Sequence, residues 1–199
     1  MTRAWEEVHA EAAGDRYGGV RGEAAFWKAF LNRVRRDLDG GVISDESFAR
    51  LAAHFRDPGS WAVFEDVAPT LDLLEARGLL LAVVSNWDSH LPELLEGLGL
   101  ARRFGAVLVS AIEETGKPDP EIFHRACARL GVAPEGALHV GDSLKEDYEG
   151  AQSAGLEALL LDREERHPEV ADRIVSLEEI PRRLLEATET GVPLSEGLS

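Results

Sequence analysis

At 199 residues, with 37 acidic against 21 basic side chains and a formal net charge of −16, the chain is long enough for one substantial core plus a smaller appended part. The acidity argues against a nucleic-acid backbone as partner, because such binding needs Lys and Arg to replace phosphate counterions. No apolar run approaches the length of a bilayer span, and acids stand early in Met-Thr-Arg-Ala-Trp-Glu-Glu, so the expectation is a cytoplasmic chain with no cleaved leader and no membrane partner.

From residue 1 to about 60 the pattern is helical, with Phe26, Trp27, Phe30, Leu31 and Val34 recurring three and four apart on one face. Breaks at Gly14 and Gly18-Gly19, at Asp39-Gly40-Gly41 and at Asp57-Pro58-Gly59 divide it into three helices. Ser44, before two acids and an apolar helix, reads as an N-cap.

After Trp61 the texture changes. Short aliphatic runs at 79–84, 106–109, 137–140 and 156–161 read as buried strands, alternating with helices near 67–77, 89–98, 120–130 and 146–154. A last strand near 173–175 and a helix over 177–188 follow, and the stretch 189–199 reads as a flexible tail. The fold class is therefore α/β, a doubly wound parallel sheet of Rossmann type with an N-terminal helical part. The domain expectation is 1–60 helical, 61–188 α/β core. Cys127, the one cysteine, falls on the apolar face of helix 120–130 and reads as core.

Three segments carry chemistry. The first strand-like run ends in Ser85-Asn86, and ligands of open parallel sheets bind at the carboxyl ends of strands, where a hydroxyl can hold a phosphoryl oxygen. The plainer role is a cap on the next helix. In Gly116-Lys117-Pro118-Asp119-Pro120, two prolines fix the backbone after Lys117, whose ammonium can offset charge on a phosphoryl group; otherwise it is a surface lysine before a Pro-started helix. Gly141-Asp142-Ser143, followed by Asp147, places one carboxylate at a strand tip and another in the next turn. Such a pair suits Mg²⁺, which takes one or two carboxylates plus water and substrate phosphate, although helix capping would also explain the acids.

In this order and combination the segments resemble the haloacid dehalogenase-like (HAD) hydrolase superfamily over about residues 60–180, and look closest to the branch with a helical cap inserted after the first strand. Its second, third and fourth motifs correspond to Ser85, to Lys117, and to Asp142 with Asp147. The resemblance implies a Mg²⁺-dependent phosphatase of a small phosphorylated metabolite. An aspartate would attack the phosphomonoester in line, and water would then hydrolyse the aspartyl-phosphate. Ser85, Asn86 and Lys117 would hold phosphoryl oxygens, Asp142 would ligate the metal, Asp147 would ligate it or orient its waters, and residues 1–60 would form the cap.

The chain departs from the pattern in one respect. The family's first motif, a buried strand ending in Asp-x-Asp, has no counterpart here: the nearest run, Gly41-Val42-Ile43-Ser44-Asp45, is too short, and Asp15, between Gly14 and Arg16, is a loop candidate with no strand. In the family that strand is central, between those ending at Ser85 and Asp142, and its removal would leave unpaired ladder groups. The expectation is a start site assigned too late, and negligible turnover by the 199-residue chain. Glu114 and Thr115 stand where relatives often carry glycine. A metal-free haloacid dehalogenase and a non-catalytic phosphate-binding module are the competing readings. The substrate carries no motif, though Trp27, Trp61 and Trp87 could line a cleft; no oligomeric state is encoded in a recognisable pattern.

Overall fold

The computed structural model describes residues 19–37 and 40–184; the first expected helix, before Gly18-Gly19, and the tail at 189–199 lie outside them. The chain divides into two compact units. The first comprises Met1–Ala62, Val84–Arg102 and Leu108–Gly116, and the second Val63–Val83, Arg103–Val107 and Lys117–Ser199.

Two helices open the first unit, α1 (Gly19–Asp37) and α2 (Asp45–Arg56). Arg35 and Arg36 occupy the last turn of α1, where cations oppose the exposed carbonyls of the helix end. The connection is tied to the helix it leaves: Asn32 Oδ1 accepts from the Ile43 amide at 2.8 Å, and Arg35 Nε donates to the Gly41 carbonyl at 2.7 Å. Ser44 caps α2 as expected, its hydroxyl accepting from the Ser47 amide at 3.2 Å, and Lys28 of α1 pairs with Asp45. Helices α3 (Val67–Ala76), of the second unit, and α4 (Leu91–Gly97), of the first, come next in the chain. Gly97 touches the Pro58 ring so closely that a Cβ there would overlap it.

Strands β1 (Ala82–Ser85) and β2 (Ala106–Val109) pair in a two-stranded sheet, and α5 (Ser110–Glu113) follows β2 directly. The aliphatic run at 79–84 starts earlier than the strand. Leu79 and Leu80 are 42% and 61% exposed, so they follow the Gly78 turn without joining the ladder.

The second unit is built on parallel strands β3 (Leu138–Gly141), β4 (Glu157–Leu161) and β5 (Arg173–Ile174), in that order. Leu138 stands opposite Glu157 and Leu160 opposite Arg173. Leu74, Leu159, Ile174 and Ile180 form a core extended by Leu81, Val140 and Leu161. Helix α6 (Pro120–Leu130) begins on a proline after the Asp119 cap and buries Ile122, Phe123, Ala126 and Cys127, so the cysteine is core as expected. The 146–154 helix is instead a π-helical turn, Leu144–Glu149, continued by α7 (Gly150–Ser153). Buried Asp66 joins distant segments, accepting from Arg163 at 2.8 Å, Ser176 Oγ at 3.0 Å and the Leu177 amide at 2.9 Å.

The architecture is α/β with parallel strands, and the described strands form two sheets instead of one. Among the described residues every strand but β4 is paired on one side only.

Candidate functional site

The second unit gathers a buried charged cluster at the tip of β3. Lys117 Nζ donates to Asp147 Oδ1 at 2.5 Å, and His139 Nε2 lies 2.8 Å from the same oxygen. The Ser143 amide donates to Oδ2 at 3.0 Å. Because an ionised carboxylate only accepts, Nε2 of His139 carries the proton. The Asp147 side chain is 4% exposed and that of Lys117 11%. Burial by itself would raise the Asp147 carboxyl, but the His139 hydrogen bond and the Lys117 and His139 charges outweigh it and hold it well below the usual carboxylate range.

Local sequence explains the seating. His139 and Gly141 are two apart on β3 and so face the same side. A Cβ at Gly141 would overlap the Asp147 carboxyl, so only glycine leaves room for the carboxylate under the strand tip. The turn that delivers Asp147 is π-helical: the Tyr148 amide reaches the Ser143 carbonyl five residues back at 3.1 Å, while Ser143 Oγ caps the turn at the Glu146 amide. Beyond it, Gly150 packs on Pro118, next to Lys117, where a Cβ would stand 3.0 Å from the proline. His139 also sets its ring edge-on to Phe123, centroids 5.0 Å apart.

Asp142, one residue on from Gly141, is exposed and makes no hydrogen bond or ion pair among the described residues. It has the chemistry of a hard-oxygen ligand with its lone pairs uncommitted. Asp147 spends three of its roughly four acceptor sites on Lys117, His139 and Ser143. Among the described residues no group of three or more His, Cys, Asp or Glu side chains gathers to hold a metal. The donor set therefore suits a cation that takes one protein carboxylate, or two, and draws its other ligands from water and substrate, as Mg²⁺ does.

In the first unit, Ser85 ends β1 and Asn86 follows it. Helix α4 begins with no side-chain cap, so neither residue caps it. The Ser85 hydroxyl has no side-chain partner among the described residues. The next peptide is held by buried Ser110, whose Oγ accepts from the Trp87 amide at 3.1 Å and donates to the Trp87 carbonyl at 3.2 Å. Asp88 Oδ1 accepts from the His90 amide at 3.0 Å. Of the three tryptophans singled out in the sequence, Trp27 and Trp87 line a cavity in this unit, and Trp61 packs edge-on to Trp87 at 5.5 Å.

The structure thus joins Lys117 to Asp147 and leaves Asp142 uncommitted beside them in sequence, while Ser85 and Asn86 belong to the other unit. His139, Gly141 and the Ser143 amide are site residues that the motif reading passed over. A histidine within the aliphatic run Leu138-His139-Val140 was the available signal, because a buried polar group requires a partner. The sequence's single Asp-x-Asp, at residues 37–39, begins at the last residue of α1, and residues 38 and 39 lie outside those described.

The chain is 41% identical over 125 residues to the bovine haloacid dehalogenase-like hydrolase domain-containing protein 3, covering 61% of this chain and 50% of that protein. It is 36% identical over 158 residues to a phosphoserine phosphatase of Thermus thermophilus, covering 77% and 64%. The chain thus spans half to just under two thirds of these relatives. The crystal structure of a HAD phosphatase from Thermococcus onnurineus superposes with a TM-score of 0.65 at 29% identity, over 90% of this chain and 78% of that one. The family model for haloacid dehalogenase-like hydrolases matches residues 2–155, and the chain belongs to that family.

Proposed function

We propose that the chain carries the phosphoryl- and metal-binding part of a Mg²⁺-dependent phosphatase acting on a small phosphomonoester. The observation that carries this reading is the buried Lys117–Asp147–His139 cluster at the β3 tip, with uncommitted Asp142 next to it in the chain. Lys117 is held by its partner carboxylate in a site that excludes most water, where an ammonium offsets phosphoryl charge more strongly than in bulk solvent. In the first unit, Ser85 and Asn86 carry a hydroxyl and a carboxamide of the kind that holds phosphoryl oxygens. Asp142 would hold the magnesium, with Asp147 ligating it or ordering its waters; when bound, the ion screens the phosphoryl group and aligns the attack. The names of the relatives, phosphoserine phosphatase and HAD phosphatase, support phosphoryl transfer as the chemistry. The acidic composition and the lack, among the described residues, of any helix long and apolar enough to cross a membrane agree with a small metabolite as substrate and the cytoplasm as setting.

The aspartate nucleophile is not assigned to any residue of this chain. The test is turnover of p-nitrophenyl phosphate with Mg²⁺. The 199-residue chain is expected to be inactive, and one extended upstream by a strand ending in Asp-x-Asp active and silenced by EDTA. Lys117→Ala in the extended chain should lower turnover by roughly 10²–10³-fold, the range for removing one charge-stabilising donor. Turnover by the short chain abolished by Lys117→Ala would refute the proposed inactivity, and metal-independent release of chloride from 2-chloropropionate would establish a dehalogenase instead.

A further inference from the structure

We propose that His139 is the positioning residue that lets Lys117 serve a phosphoryl group, by holding the Asp147 carboxylate while the ammonium turns to the ligand. The proposal rests on the phosphoryl-binding reading of Lys117 given above. Asp147 Oδ1 receives two side-chain donors, Lys117 Nζ at 2.5 Å and His139 Nε2 at 2.8 Å, while Oδ2 receives the Ser143 amide at 3.0 Å. A buried carboxylate and an arriving phosphoryl oxygen compete for the same ammonium. Were Lys117 the sole side-chain donor, serving the ligand would leave a carboxylate that is 4% exposed on a single amide, and that loss would be deducted from ligand binding. The imidazole removes this conflict, because Oδ1 keeps a side-chain hydrogen bond whichever way the ammonium points.

The two donors differ in how they can move. Lys117 reaches Asp147 on a flexible four-carbon stem, and an ammonium has three protons that can serve more than one acceptor. His139 has no such latitude. Its backbone lies in the parallel ladder opposite Ala158 of β4, and its ring meets fully buried Phe123 at 85° with centroids 5.0 Å apart. The imidazole side chain is only 12% exposed. Strand pairing and ring packing together hold Nε2 at the carboxylate, so the stationary donor is the imidazole and the movable one is the ammonium. Asp147 is anchored as well, since the Ser143 amide ties Oδ2 and the carboxyl fills the space left by the missing side chain of Gly141. A lysine paired alone with this carboxylate would be an internal ion pair with little left for a ligand. His139 turns it into a shared donor.

The experiment titrates inorganic phosphate, with Mg²⁺ present, into the 199-residue chain and its variants at position 139, followed by calorimetry. His139→Gln places a carboxamide N–H at the same remove from Cβ as Nε2 and loses the ring, whereas His139→Phe keeps a ring for Phe123 and loses the donor. Phosphate affinity is expected to fall about tenfold in His139→Phe, the ratio equivalent to one charge-assisted hydrogen bond, and to stay within about threefold of the parent in His139→Gln. The reverse order, or equal loss in both, marks a merely structural ring and overturns the proposal. The effect must also pass through Lys117. Lys117→Ala should weaken phosphate binding, and His139→Phe should add nothing in that background. A His139→Phe loss that persists in full without Lys117 overturns the proposal; should the double variant fail to fold, the order of the two single variants decides. Phosphate affinity unchanged by Lys117→Ala, or no binding by the parent chain, discards the phosphoryl reading of Lys117 and this inference with it. Affinity lowered by Lys117→Ala but not by His139→Phe discards this inference alone.

Discussion

Asp66, Asp147, Asp162 and Asp172 are buried in the second unit, held by donors from Arg163, Lys117, His139, Tyr148 and several amides. Among the described residues the first unit buries no charged side chain; its buried residues are mainly leucine with Ile43, Val109, Ala111 and Ser110, and half-buried rings line a cavity. The difference shows what each kind of interior requires. A charge inside a protein is tolerable only when its donors are placed by the same folding event, so the second unit fixes a few atoms closely. Rings need volume and one apolar face from each helix, so the first unit defines a shape and leaves its contents open.

The sharpest way to break the comparison is to strip a charge from the second unit. Lys117→Met leaves Asp147 buried with His139 and an amide, and stability measured by urea unfolding should fall by about 3–5 kcal/mol, the cost of orphaning one member of a buried pair. Gly141→Ala pushes the Asp147 carboxyl aside and should cost about 1–3 kcal/mol by the same assay, whereas Gly136→Ala, with open space at its Cβ, serves as the neutral control. Acid should act on the second unit first. Asp147 and Asp66 have folded pKa values below their ordinary 3.8, so the stability they contribute is complete above that value and is lost as pH falls below it, through the folded values. Asp172, raised by burial, acts in the opposite sense and blunts the loss. A melting series from pH 6 to pH 2 should therefore steepen below about pH 4, and less so in Lys117→Met.

Two smaller effects test the first unit. Ser44→Ala removes the α2 cap and should cost about 1 kcal/mol without altering the acid response. Glu114, at φ 55°, occupies the left-handed region where the sequence reading had already noted a missing glycine. Glu114→Gly should change stability by less than about 1 kcal/mol, because relief of backbone strain is offset by the freer unfolded chain.

How far the sequence could be read follows the same division. Helix 120–130 was legible to the residue, because a proline and an aspartate start it and Gly131, at φ 69°, ends it. Strand 106–109 was legible because its aliphatics are flanked by Gly105 and a helix start. Strand β1 starts three residues later than the aliphatic run, since apolar character does not reveal where pairing begins. The partnership of Lys117 with Asp147 spans 30 residues, and nothing in either segment names the other. Motif reasoning located both residues, with Asp147 ligating a metal or orienting its waters, and did not foresee the three donors that hold its carboxylate. Of the tryptophans expected to line a cleft, Trp27 and Trp87 line a cavity of the first unit.

Ser110 has a bearing on how the β1 tip can receive an anion. One hydroxyl meets both hydrogen-bonding groups of the Trp87 backbone, so that N–H is already spent. In the proposed reading, a phosphoryl oxygen at that edge would be met by the Ser85 hydroxyl in place of this peptide. Recognition there, if Ser85 takes that role, would be set by a hydroxyl that can turn and not by a fixed amide.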